Sequence, residues 1–146
     1  IKEFYPSLTL ILAGLGTEIY SNMKGIIALG PHKNIRSVYS ASDVIISSSA
    51  FGEGFSNALG EGMSAGLIPI ATNVGDSQYI IDTAGTIIPS KNVSKLIEAI
   101  KDLMELNNKE FLIKKEEARS RVSNFFSKEK MIKKYSIMYM NLKNRN

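Results

Sequence analysis

Residues 43–76, DVIISSSAFGEGFSNALGEGMSAGLIPIATNVGD, decide how this chain folds. Asp43 to Ser47 is a short run of β-branched side chains that reads as a buried strand. Ser48 to Gly54 is rich in serine and glycine, a loop. Ser56 then stands where a helix cap would, ahead of a helix from Asn57 to Ala65 that Gly66 stops. Ile68 to Thr72 is the next strand, with Pro69 tolerated near its start.

The same alternation extends in both directions. Ser7 to Gly14 (SLTLILAG) and Gly25 to Gly30 (GIIALG) read as strands, separated by a turn of helix or a loop over Thr17 to Lys24. Asn34 to Ala41 places Ile35, Val38 and Tyr39 on one face of a brief helix. Downstream, Gly75 to Ile81 is a turn and short helix, and Thr86 to Pro89 is a last strand. Val93 to Leu106 is an amphipathic helix with Val93, Leu96, Ile97, Ile100, Leu103 and Met104 on one side. Two further helices are expected over Lys109 to Phe125 and Lys128 to Leu142. Strands that are continuous apolar runs, alternating with helices, describe an α/β fold: a parallel sheet covered on both faces.

Composition limits the chemistry. The 146 residues, 44% hydrophobic and 22% charged, suit one ordinary domain. With no Cys and a single histidine, His32, there is no disulfide frame, thiolate metal cage or cysteine nucleophile, and no metal site is expected. The apolar runs are far shorter than the roughly 18 residues that span a bilayer. No Met opens the chain and no signal pattern follows, so the start is expected to be the interior of a longer protein. Residues 1–90 hold four basic and seven acidic groups, whereas 91–146 hold fourteen and seven, net −3 and +7. The basic third is read as a solvated helix face or as a contact with an anionic membrane surface. Nucleic acid is not expected, because the chain has no Trp and its basic cluster is interleaved with Glu.

In a parallel sheet of this kind, ligands sit beyond the carboxyl ends of the strands. The informative loops are therefore Gly14 to Gly16, Gly30 to Lys33, Ser47 to Ser56 and Asn73 to Ser77. Glu53 lies in a Gly-flanked loop just before a helix N-terminus, and Glu61 follows eight residues later on the helix. The amides of Ser56, Asn57 and Ala58 are the free donors of the first turn, a cradle suited to phosphate. Carboxylates can accept hydrogen bonds from sugar hydroxyls. A nucleotide sugar fits this combination, although on spacing alone Glu53 and Glu61 are equally a loop acid and a helix-surface acid.

The run EGFSNALGE (Glu53 to Glu61), followed by GMSAGLIPIATNVGD, closely resembles the signature of retaining family 4 glycosyltransferases of the GT-B fold. The upstream LTLILAGLG, IIALG and VYSASDVIISSS are similar to that family's strands in order, so the resemblance covers nearly the whole chain. It implies two Rossmann-like domains facing a cleft, this chain being the C-terminal, donor-binding one. Residues 1–106 would form that domain without its first strand, and 107–146 would be C-terminal helices packing on or extending from it. The resemblance assigns Glu53 the catalytic place, accepting hydrogen bonds from the donor sugar. The backbone at Gly54, Phe55 and Ser56 would line that sugar, and Asn57 and Ala58 would hold the distal phosphate. Glu61 would bind the ribose, Gly14 and Gly16 would form the turn beneath the diphosphate, and Pro31, His32 and Lys33 would meet the base. His32 also reads as a plain surface histidine.

Two departures from the signature stand out. Asp76, Ser77, Gln78 and Tyr79 replace the pattern after Val74-Gly75, and Gly60 and Gly62 replace helix formers at up to about 1 kcal/mol each. Close packing of that helix on the sheet is the expected compensation. The family's Gly-Arg and Lys for the leaving diphosphate, and its acceptor domain, would lie upstream of Ile1, so these residues alone are expected to be inactive. The implied reaction moves a sugar, first of all from a UDP-sugar, to a hydroxyl of a lipid-linked glycan of bacterial surface polysaccharide such as O-antigen or capsule. It needs no metal or other cofactor, and it is placed in the cytoplasm, peripherally at the inner face of the plasma membrane. The competing reading is a non-catalytic nucleotide-binding or interaction module on the same fold.

Overall fold

A computed structural model describes residues 1–143. Its strands and helices are β1 (Leu10–Ala13), β2 (Ile26–Gly30), α1 (Ile35–Ser40), β3 (Val44–Ser47), α2 (Asn57–Ser64), β4 (Ile68–Thr72), α3 (Ser77–Ile81), β5 (Thr86–Ile88), α4 (Val93–Met104), α5 (Asn108–Phe125) and α6 (Lys128–Lys143). A 3-10 turn, Thr17–Tyr20, links β1 to β2. The alternation of strand and helix is as the apolar runs require. The last three residues of the expected 107–146 segment lie outside the described residues.

β4 is the centre of the core. It pairs in parallel with β3 on one side, Val44 opposite Ile68, and with β5 on the other, Ile70 opposite Thr86. All five of its residues are buried. Alternation along the strand divides them between the two faces. Ile68 and Ile70 pack with Ile88, Ala99 and Leu103 beneath α4. Ala71 packs with Leu59, Met63, Ile80, Ile81 and Ala118, drawn from α2, α3 and α5. Burying one such isoleucine completely contributes about 1.5–3 kcal/mol.

The sheet is divided, where the apolar runs alone suggest one continuous sheet. Among the described residues β1 and β2 form a parallel pair, β3, β4 and β5 a separate set of three, and β1 and β3 each pair on one side only. β1 also begins at Leu10 and not at Ser7. Its first partner is Ile26, and the Leu10 amide already donates to the carbonyl of Gly25, where the preceding turn ends. Nothing earlier is extended for residues 7–9 to pair with.

Helix ends show local chemistry that the apolar pattern does not reveal. The Asn92 side chain accepts from the Lys95 amide at 3.0 Å, and Asn107 and Glu110 form a reciprocal capping box at the start of α5. Ser56 does occupy the N-cap position of α2, but its side chain makes no capping hydrogen bond. Gly66 ends that helix in the left-handed region, φ +85°. The expected reason for glycines in α2 holds at one position. A Cβ on Gly62 would stand 2.5 Å from Ile45 Cδ1, so the helix sits directly on β3 there. At Gly60 it would meet only Phe55, at 3.8 Å, and close packing does not explain that residue.

Candidate functional site

The loop after β3 is held from beneath by β4. Thr72, the last residue of β4 and 4% exposed, donates its hydroxyl to the carbonyl of Ser49 at 2.6 Å. Ser49 in turn donates its hydroxyl to Glu53 Oε1 at 2.6 Å. A buried threonine therefore sets the backbone of the residue that orients the carboxylate. Neither Ser49 nor Thr72 stands out in the sequence, because serine is abundant around position 49 and Thr72 reads as a strand end.

The loop after β4 closes on the backbone of the same segment. Gly75 has φ +57°, and a Cβ there would lie 2.3 Å from the Glu53 carbonyl oxygen. Only glycine permits both the conformation and the approach. The Asp76 amide donates to the carbonyl of Gly54 at 3.3 Å. Thus the sequence that departs from the family pattern, beginning at Asp76, supports the Glu53 loop through its backbone.

Helix α2 begins immediately after this loop. Because the Ser56 side chain leaves them alone, the first-turn amides at Asn57 and Ala58 have no carbonyl behind them and point out along the positive end of the helix dipole. Glu53 is half-buried, Gly54 and Phe55 are exposed, and Ser56 is buried. A carboxylate beside an anion-binding helix start can hold a hydroxylated ligand that carries phosphate.

Glu61 lies on the exposed side of α2, where Tyr39 of α1 donates its hydroxyl to Oε2 at 3.1 Å. Burial, and then the Glu61 hydrogen bond and charge, push the Tyr39 phenol up to about 12. The phenol remains a donor at neutral pH. The pair faces a groove of about 450 Å³ with Ile35, Arg36, Ser40, Ser64 and Ala65. A diol reaching Glu61 would share the carboxylate with Tyr39 or displace it. In the sequence Tyr39 reads only as part of the apolar stripe of α1.

The remaining expected residues form a second group. Gly14 and Gly16 have φ +140° and +82°. The Gly14 amide donates to the Gly30 carbonyl at 2.8 Å, and the Thr17 hydroxyl donates to the Gly14 carbonyl at 2.9 Å while accepting from the Gly30 amide at 3.0 Å. Thr17 thereby ties the turn after β1 to the end of β2. Pro31, His32 and Lys33 follow, all exposed. Among the described residues no hydrogen bond joins this group to Glu53 or Glu61, and no cluster of His, Asp and Glu could hold a metal ion.

Comparison with known proteins bears on this arrangement. The family described as "Glycosyl transferases group 1" matches residues 1–106. No protein of curated function matches the sequence. Among solved structures, a glycosyltransferase from Rickettsia africae ESF-5 is similar at TM-score 0.77 and 20% identity, over 99% of this chain and 51% of that one. Anabaena HepE, solved in complex with UDP-glucose, is similar at TM-score 0.79 and 18% identity, over 93% and 42%. WaaG, a glycosyltransferase involved in lipopolysaccharide biosynthesis, is similar at TM-score 0.65 and 17% identity, over 84% and 36%. The chain spans about half the length of the Rickettsia protein it matches, and less of the other two.

Proposed function

Since this chain belongs to the glycosyl transferases group 1 family and has the Rossmann-like form of the C-terminal half of a GT-B fold, we propose that it binds the donor, a nucleoside-diphosphate sugar, for a retaining, family 4 type transfer to a hydroxyl. The observation that carries this reading is the Glu53 loop. Its carboxylate is oriented by Ser49, its backbone lies against Gly75, and it is set directly before the unfilled amides of α2. Glu53 would accept hydrogen bonds from the donor sugar, with the backbone of Gly54, Phe55 and Ser56 around it. Asn57 and Ala58 would hold the distal phosphate, Glu61 the ribose, and Pro31, His32 and Lys33 the base. Gly14 and Gly16 would leave room beneath the diphosphate.

A UDP-sugar is the donor we favour, supported by the complex of HepE with UDP-glucose. Transfer of a hexose to a lipid-linked glycan of a bacterial surface polysaccharide is supported by the likeness to WaaG. A second, acceptor-binding domain would complete the enzyme, and a basic C-terminal segment suits the inner surface of the plasma membrane. Phosphate charge would be met by amides and cationic side chains in a reaction that uses no metal.

Titration calorimetry of the full-length protein with UDP, GDP, ADP and UDP-glucose tests the reading. Saturable binding of one nucleotide, with the cognate sugar adding affinity, is expected. Glu61→Ala should weaken nucleotide binding about ten- to a hundredfold, the loss of a hydrogen bond to a charged group. Glu53→Ala should leave nucleotide binding intact and reduce sugar transfer. Binding of no nucleotide would sink the proposal in favour of an interaction module, and equal effects of the two substitutions on nucleotide affinity would refute the division of roles.

A further inference from the structure

The segment beyond the family match reaches back to the Glu53 loop. Phe126, the residue that closes α5, stands edge-on to Phe55, with ring centroids 5.3 Å apart and planes at 65°. It is also edge-on to Tyr79 of α3, at 5.5 Å and 83°. Phe55 directly follows Gly54 and is 43% exposed, while a Cβ on Gly52 or Gly54 would meet nothing within 4 Å. This is a loop with open space around two of its glycines, and Phe126 supplies an aromatic surface against it.

Phe126 is itself well anchored. Arg121, on the last turns of α5, has a side chain only 12% exposed. It donates from Nε to the carbonyl of Ile80 at 3.2 Å and from Nη2 to that of Tyr79 at 2.6 Å, with Nη1 3.4 Å from Asp82 Oδ2. Those carbonyls belong to the final turn of α3, where a helix leaves acceptors unfilled and its dipole favours a cation. The guanidinium also lies 4.2 Å from the ring centre of Phe125 and 5.4 Å from that of Phe126. Arg121 thus locks the end of α5 to α3, and Phe126 projects from that lock onto Phe55.

We propose that Phe126, anchored by Arg121, is a positioning residue for the donor sugar: it sets where the Glu53–Ser56 loop stands, and so how far a nucleotide sugar is bound in preference to the free nucleotide. The inference rests on the donor-site reading above. It adds a dependence on residues 107–143 that the family match over 1–106 does not contain.

The test compares Phe126→Leu, which keeps apolar volume but removes the ring, with Phe126→Tyr, which keeps it, in the full-length protein. Hydrogen exchange reports the loop and calorimetry with UDP and UDP-glucose reports the site. In Phe126→Leu, the Asp76 amide, which donates to the Gly54 carbonyl, should exchange faster while those of β4 stay protected. UDP-glucose should weaken about five- to tenfold, the factor an edge-on aromatic contact corresponds to, with UDP unchanged. Phe126→Tyr should restore both. Unchanged exchange at Asp76, or equal weakening of UDP and UDP-glucose, would overturn the proposal. Wild-type protein that binds neither compound would overturn the donor-site reading and the sugar role with it. Faster exchange at Asp76 in Phe126→Leu than in wild type would still establish the contact as what holds the loop, so the two failures are told apart.

Discussion

The three-stranded and two-stranded sheets are built from similarly apolar strands, yet they are buried very differently. In the first, Ile68 and Ile70 are 0% exposed between α4 on one face and α2, α3 and α5 on the other. In the second, Leu10, Ile27 and Leu29 are 43%, 49% and 36% exposed. The first is held by packing. The second relies on backbone hydrogen bonds and on the Thr17 hydroxyl that joins Gly14 to Gly30. The lesson is that an apolar strand stabilises a fold only as far as its neighbours remove it from water. It follows that the Glu53 loop has a firm base in Thr72, whereas the Gly14 and Pro31–Lys33 turns stand on the more exposed pair.

The sharpest way to break this contrast is a pair of truncations. Ile70→Ala should cost about 2–5 kcal/mol, because it opens a cavity in a closed core. Ile27→Ala should cost about 1 kcal/mol or less. Urea denaturation measures both, and similar shifts in the midpoint at equal slope would erase the distinction.

Within the closed half, the two glycines of α2 offer a finer comparison. Gly62→Ala should destabilise by about 1–3 kcal/mol, since its methyl would press into Ile45 on β3. Gly60→Ala should stabilise by up to about 1 kcal/mol, since there is room for the methyl and alanine favours the helix. Thermal unfolding of both variants decides it. The opposite pair of signs would mean that α2 does not rest on β3 as described.

The smallest effect belongs to the contact between the halves, where Tyr39 on the helix that follows β2 meets Glu61 on α2. The phenol is raised from 10.0 to about 12. Folding therefore favours its protonated form, and that contribution is complete below the unfolded value near pH 10 and lost as pH rises through about 12. Tyrosinate absorbance of wild type minus Tyr39→Phe should show one phenol ionising late. Ionisation at the ordinary value would show that the pair does not form in solution.

How much could be read in advance differs by element. β4 was legible as IPIAT because a five-residue apolar run between Gly66 and the polar turn at Asn73 admits little else. The α2 helix was legible from Asn57 to Ala65, with Gly66 as its stop, but the role of its glycines was not, since only the position of Ile45 separates Gly62 from Gly60. Ser56 was correctly placed as a cap residue, yet its side chain does not cap, because chain position does not set which way a hydroxyl turns. Glu53 and Glu61 could be singled out by spacing and by resemblance. Their partners Ser49 and Tyr39 could not, since Ser49 is one of several serines in its loop and Tyr39 is brought near by another helix.

By itself the sequence determined the order of strands and helices, the glycine turns and the two carboxylates, because these depend on local periodicity and on residues whose conformational limits are their own. Only the tertiary structure decided that the strands divide into two sheets, that Thr72 and Gly75 grip the Glu53 loop, and that Phe126 touches Phe55. Those are contacts between segments far apart in the chain, set by how whole faces pack and not by any pattern within one segment.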